Sequence, residues 1–449
     1  MRSSRAKISR TLGVARPALP AAAVLALGLL APPALAAAQP SAHAAKGSGR
    51  HGTSALPGRS VSRYPSGASR PRDHGGSAPR AHGAAAKKPP KKPKKPKLTG
   101  NPARALLAFE AMQRYYYVRG SGLYAGEPFS YLWPFSQALA ATVSMANVPH
   151  LPVSLSGELH ARLIGLRTYL DLNNSGASEG IYTSTLVVFD GTVVPPVGPG
   201  GAKYYDDNDW IGIELARHYE KSRNAGALGY AEAIMAFEIA GFSTDPSLAC
   251  PGGIPFSNGI DNTDRNTITT APAAELAVQL YKITGNVQYL QFAETAYNWV
   301  RSCLLRPNNL YADHIRPHGV VDSTFWSYNQ GVMIGAGTLL YQATGNSGYL
   351  YQARQTAQAA RAYFTPQRLG EENPFFPSVY FRNLMYMDSI THDPPGPKIA
   401  QAYVDYAWQH LRLSNNLFVA GSPASAQLLY QAAIVQIYAL LSSPPSTYF

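Results

Sequence analysis

Cysteine is nearly absent from this chain: 449 residues contain two, Cys250 and Cys303. There is no Cys-x-x-Cys and no Cys/His cluster at zinc-ligand spacing, which excludes a structural zinc site and a thioredoxin-like centre. The two cysteines either bridge, as export would favour, or stay free and buried, because sequence fixes no Cα–Cα distance. A phosphate-cradling glycine loop is missing too. Asp261, Asn262 and Asp264 crowd together but lack the glycine and glutamate that complete a calcium loop. No metal and no cofactor is expected. The histidines are scattered, and His314 and His318 read as solvated loop residues. No cluster of His, Tyr or Arg bases points to an isomerase or lyase.

Acids are missing from one end. Of the 39 Lys and Arg, 19 lie in residues 1–98, leaving 20 beyond. Of the 26 Asp and Glu only one, Asp73, lies there, leaving 25 beyond. The formal charge of +13 therefore divides into +18 for the first 98 residues and −5 for the rest. The basic pI belongs to the tail, so no nucleic-acid partner is expected for the domain.

That tail has two parts. Arg2, Arg5, Lys7, Arg10 and Arg16 precede an apolar run from Leu19 to Leu30, then Ala34-Leu35-Ala36. This is the pattern of a secretory signal cleaved near Ala36, in a run short for a bilayer span. Residues 37–98 hold almost no large apolar side chain and cannot offset their chain entropy, so a disordered basic linker is expected. It ends in the Pro/Lys run Lys87 to Lys97, read either as a soluble spacer or as a polycation docking on an anionic envelope polymer.

The domain proper, 99–449, carries a repeat. Leu280-Tyr281, Thr284-Gly285-Asn286, Tyr289-Leu290 and Ala293 recur 60 residues later as Leu340-Tyr341, Thr344-Gly345-Asn346, Tyr349-Leu350 and Ala353. A weaker copy contains His218-Tyr219, Asn224 and Tyr230-Ala231. Each unit reads as a helix, a Gly/Asn cap and a second helix. The domain has room for about six such hairpins, which predicts an all-α (α/α)6 barrel, with an open solenoid as the alternative. Further helices are expected over Ala103–Tyr117, up to Met145, and over Leu159–Leu170, Val379–Met387, Ile399–Leu413 and Ala424–Leu441. Between Asn173 and Lys203 the β-prone run Ile181 to Phe189 predicts a long excursion, with a hairpin as one form of it, leading to Tyr204.

There the chain reads Tyr204-Tyr205-Asp206-Asp207-Asn208-Asp209-Trp210, before an apolar helical run from Ile211. The acids fall at or just before a helix start, where unpaired N–H groups favour negative charge. Alone they suit an N-cap. Paired carboxylates among aromatic rings also suit a sugar site, with rings to stack on pyranose faces and acids to cleave the bond. Other stretches leading into helices carry similar side chains: Trp133, the Gly252–Asn266 loop, and Trp326, Tyr328, Asn329 and Gln330. The expected substrate-binding set is Trp133, Tyr204, Tyr205, Trp210, Trp326, Tyr328, Asn329 and Gln330.

The stretch Tyr204 to Gly212 resembles the Asp-Asp signature of glycoside hydrolase family 76. Leu132-Trp133-Pro134-Phe135, Gly252-Gly253-Ile254, the Tyr-x-x-Thr-Gly-Asn-x-x-Tyr-Leu repeats, Ser327 to Gly331 and Ala426 to Leu429 are similar as well. The resemblance spans most of 99–449. It implies an (α/α)6 barrel and a retaining endo-α-1,6-mannanase, with Asp206 as nucleophile and Asp207 as general acid/base. The polysaccharide partner would be α-mannan-like and the protein a secreted or envelope-associated monomer. Asp209, and Pro255-Phe256 after the Gly-Gly-Ile loop, depart from the family pattern. Fungal relatives act as transglycosylases, and a non-catalytic glycan binder on the same fold is the other alternative.

Overall fold

The Thr-Gly-Asn punctuation does what its chemistry requires. Gly285 and Gly345 both take φ 74°, a left-handed conformation that glycine adopts without a Cβ penalty. Asn286 and Asn346 then accept hydrogen bonds from the backbone N–H of Gln288 (3.1 Å) and Gly348 (2.9 Å), starting the next helix. The weaker copy keeps this geometry with Arg223 at φ 56° and Asn224 capping Ala227.

A computed structural model describes residues 98–172, 186–259, 263–420 and 425–449. Thirteen α-helices lie among the described residues: α1 (Gly100–Tyr116), α2 (Leu132–Ala146), α3 (Ser156–Leu166), α4 (Tyr205–Ser222), α5 (Ala225–Gly241), α6 (Thr267–Thr284), α7 (Val287–Leu304), α8 (Ser327–Thr344), α9 (Ser347–Tyr363), α10 (Pro366–Glu371), α11 (Phe375–Thr391), α12 (Pro395–Tyr406) and α13 (Leu428–Leu440). Helices α2, α4, α6, α8, α11 and α13 pack side by side in that order, and α13 returns to α2. The ring is closed, so the architecture is the (α/α)6 barrel and not the solenoid. Around it, α3 covers α2, α5 covers α4, α7 covers α6, α9 covers α8, α12 covers α11, and α1 covers α13.

The two layers follow from two sequence patterns. An outer helix buries one stripe, as α7 does with Ala293, Ala296, Tyr297, Val300 and Leu304. An inner helix has neighbours on every side, and α8 buries every residue from Asn329 to Leu340. Closure is sealed by amides: Gln436 of α13 donates to Gln137 of α2 (3.1 Å), and Gln431 of α13 donates to the Ala108 carbonyl of α1 (2.8 Å).

Some expected boundaries move. The expected Leu159–Leu170 helix is α3 followed by a 3₁₀ turn, Arg167–Tyr169, which releases Leu170 to pair with Phe189. The expected Ile399–Leu413 helix stops at Tyr406 and widens into a π-helical turn, Ala407–Leu411. Short antiparallel strands lead into inner helices: β1 (Arg265–Asn266) with β2 (His314–Ile315) and β3 (Val321–Asp322), and β4 (Val419–Ala420) with β5 (Ser425–Ala426). The expected leader, the basic tail up to Lys97 and residues 173–185 of the excursion lie outside the described residues. No helix among the described residues is long and apolar enough to cross a membrane.

Cys250 and Cys303 form a disulfide with Cα atoms 6.1 Å apart. It ties the loop after α5 to the last turn of α7 across 53 residues. Replacing both cysteines with alanine is expected to cost about 2–4 kcal/mol of stability. Denaturant unfolding under non-reducing conditions measures this loss.

Candidate active site

Helix α4 begins at Tyr205, earlier than its apolar run suggested, so Asp206 and Asp207 lie inside its first turn. They are not caps: the N-cap is Tyr204, with no side-chain cap hydrogen bond. At 3.6 residues per turn, successive side chains point about 100° apart, and the four residues Asp206 to Asp209 come to three different surroundings. Asp206 and Asp207 line a cleft. Asn208 is buried and clamps the incoming chain, donating to the carbonyls of Phe189 and Tyr204 (both 2.9 Å) and accepting from Phe189 N–H (3.1 Å). Asp209 is wholly buried.

The cleft has a volume of about 700 Å³. Its aromatic wall is built on Phe375, whose ring meets Trp133 and Trp210 edge-on, both at 5.5 Å. Phe376 stacks on Tyr328 at 4.0 Å. Tyr204 meets Phe256 opposite. Of the described lining residues only Glu127, Asp206 and Asp207 are acidic, and none is Lys or Arg.

The expected binding residues separate into two groups. Trp133, Tyr204 and Tyr328 line the cleft. Tyr205 does not: it is buried and stacked on Phe237 at 4.2 Å. Trp210 is buried behind Phe375, and Trp326 meets Phe376 edge-on at 5.4 Å. Asn329 and Gln330 are buried braces. Asn329 donates to Asp313 (3.0 Å), and Gln330 accepts from Tyr311 N–H (2.8 Å) and donates to the Tyr311 carbonyl (3.0 Å). His314 is no solvated loop residue. It lies on β2 between Asp313, 3.0 Å from Nδ1, and Asp264, 3.5 Å from Nε2.

Burial dominates the electrostatics. It pushes both Asp206 and Asp207 up from the usual carboxylate range. Backbone N–H groups of Asp207 and Asp206 then pull Asp206 back down, while its charge pushes Asp207 further up. The pair is thus polarised, with Asp206 the more readily ionised and Asp207 the more readily protonated. Tyr328 is raised by burial and by the nearby Asp313 and Asp206.

A sequence profile described as glycosyl hydrolase family 76 matches residues 102–386. The chain belongs to this family. Among solved structures, the family 76 mannosidase Bt3792 of Bacteroides thetaiotaomicron superposes with a TM-score of 0.67 at 20% identity, covering 76% of this chain and 98% of that one. An inactive variant of a Salegentibacter α-1,6-mannanase, with two adjacent aspartates replaced and α-1,6-mannotriose bound, gives 0.60 at 20% identity, covering 76% and 99%. Two yeast proteins, each named mannan endo-1,6-alpha-mannosidase DCW1, are 26% identical. The Candida glabrata protein aligns over 28% of this chain and 30% of its own length. The Saccharomyces cerevisiae protein aligns over 26% and 28%. The chain thus matches less than a third of the length of either yeast relative.

Several residues of this family 76 site escaped the sequence reading. Phe375 and Phe376 enter α11, the same position in the barrel that Trp133 and Tyr328 occupy at their own helices. That shared position was the signal that could have found them. Glu372 accepts from the Ser327 N–H (2.9 Å) and Ser327 Oγ at the start of α8, and burial raises it to about 7. Nothing local marks either Glu372 or Asp313.

Beneath the cleft lie Asp209, Glu238 and Glu275, all wholly buried. Burial raises Glu275 from 4.5 to about 8, and it raises Asp209 and Glu238 well above their ordinary values. The folded protein keeps protons that the unfolded chain releases. Glu275's stabilising share is therefore complete below about 4.5 and lost as pH rises towards about 8. Thermal stability should fall across that window. Glu275→Gln should flatten the fall, by an amount on the order of a few kcal/mol, read from denaturation at a series of pH values.

Proposed function

We propose that this family 76 chain is a secreted retaining glycoside hydrolase that cleaves α-1,6-mannosidic linkages in mannan. The observation that carries this reading is the polarised Asp206–Asp207 pair in the first turn of α4, at the wall of an aromatic cleft. The names of the relatives support the linkage: mannan endo-1,6-alpha-mannosidases in two yeasts, and an α-1,6-mannanase bound to α-1,6-mannotriose. In that last protein, the variant with two adjacent aspartates replaced is inactive.

The chemistry is a double displacement. Asp206 attacks the anomeric carbon as Asp207 gives its proton to the departing glycosidic oxygen, leaving a β-mannosyl ester on Asp206. Asp207, now ionised, takes a proton from water. The water oxygen displaces Asp206 and restores the α configuration. Adjacent Cα atoms about 3.8 Å apart allow the roughly 5–5.5 Å carboxyl separation of retaining enzymes when side chains diverge. The helix N–H groups favour the ionised nucleophile, and the charge on Asp206 keeps Asp207 protonated for the first step. Trp133, Tyr204, Tyr328, Phe375 and Phe376 supply stacking faces along the cleft. Residues 1–36 serve export in this reading, and the basic stretch to Lys97 spaces the domain from the envelope.

Asp206→Asn is expected to abolish cleavage of linear α-1,6-mannan and formation of the covalent ester. Asp207→Asn should slow natural linkages at least 100-fold while sparing substrates with activated leaving groups. Activity should fall on the acid side as Asp206 is protonated and on the alkaline side as Asp207 is ionised. NMR of the first product should show the α-anomer. A β-anomer, or wild-type rates in both variants, would rule out the assignment.

A further inference from the structure

The acids beneath the cleft lack donors. Asp206 lines the cleft, yet its Oδ1 is buried and has no hydrogen-bond partner. Asp209 follows three residues later on α4, a spacing that sets two side chains on one face about one turn apart. Both its carboxyl oxygens are buried and without a partner. Electrostatic coupling links the two carboxyls. Behind Asp209 stand Glu238 on α5 and Glu275 on α6, again with both oxygens of each unpartnered.

The neighbouring helices bond to none of these carboxyl oxygens. Helix α2, packed against α4, has no ionisable side chain. Arg382 of α11 acts on Glu275 and bonds through Nη1 to Glu214 at 2.8 Å, while its Nε and Nη2 bond to no carboxyl oxygen of the group. A Cβ on Gly335 would collide with both Glu275 Oε1 and Asn383 Oδ1, so one more acceptor, Asn383 Oδ1, converges where only glycine fits. A buried group of acceptors is tolerable only if some of them carry protons, because a protonated carboxyl donates where a carboxylate only accepts.

We propose that Asp209 is a positioning residue: as a neutral acid it donates a hydrogen bond to the inner oxygen of Asp206 and holds the outer oxygen toward the cleft for attack. The proton stays on Asp209 throughout, so the two displacement steps keep their balance. The hydrogen bond disperses charge on the inner oxygen and favours the ionised form of Asp206. Burial keeps Asp209 neutral, helped by the charge of Asp206. The proposal rests on the reading of Asp206 as nucleophile.

The test uses the full chain labelled with carboxyl-¹³C aspartate, with the Asp206 resonance assigned from Asp206→Asn. Its titration needs no substrate, so a failed proposal is distinguishable from a failed mannanase reading. Asp209→Ala should move the Asp206 titration up by about one pH unit, and the acid limb of kcat/KM on α-1,6-mannan should move with it. Asp209→Asn, whose amide still donates, should leave the Asp206 titration near its wild-type position and rescue the limb. An Asp206 titration that falls in both variants would show Asp209 to be an ionised neighbour and overturn the proposal. So would one that stays put in Asp209→Ala while stability alone changes. If the wild-type chain does not cut mannan, the substrate reading fails, and the Asp206 titration still decides whether Asp209 donates to it.

Discussion

Closing six helices into a ring takes water away from the barrel axis, and every buried polar group on α4 answers to that removal. A carboxyl without water must find a donor, find a cation or keep its proton. All three answers occur along this one helix. Asp206 lies at the start, where first-turn N–H groups compensate its charge. Glu214, two turns further on, binds Arg217 at 2.6 Å and reaches Arg382 on α11 at 2.8 Å. Asp209 lies between them and has neither kind of partner.

The ion pairs do more than satisfy Glu214. Helix α11 lies opposite α4 in the ring, so Arg382 joins two helices that do not otherwise flank each other. Arg217 also donates to the Thr447 carbonyl at 2.8 Å, drawing the C-terminal segment onto the barrel. Breaking such a group would leave a buried charge unpaired, which is costlier than the pair is stabilising. The chemistry at the cleft thus stands on a polar axis whose parts come from helices far apart in sequence.

The loops that lead into the inner helices have a different constraint. They must place side chains over the mouth of the ring without exposing unpaired backbone. Short strands do this: β1 and β2 fix the loop that carries Asp313, whose carboxyl is then held by Asn329 and His314. The aromatic wall is made the same way, by the residues that enter α2, α8 and α11.

The hairpin repeat, its caps and the barrel that follows from six hairpins were legible in the sequence, because αL glycines and Asn caps are local chemistry and the repeat copies them. The Asp206–Asp207 pair was legible too, as adjacent acids among aromatics. What only the tertiary structure decided is which side chains face the cleft. Tyr205 and Trp210 read as sugar-stacking residues, yet α4 begins at Tyr205, and each residue added to a helix turns the next side chain by about 100°. That phase sends Tyr205 onto Phe237 and Trp210 behind Phe375. Asp313, Glu372 and Phe375 reach the site from segments more than 100 residues away from Asp206. No local pattern specifies that meeting, because ring closure brings those segments together.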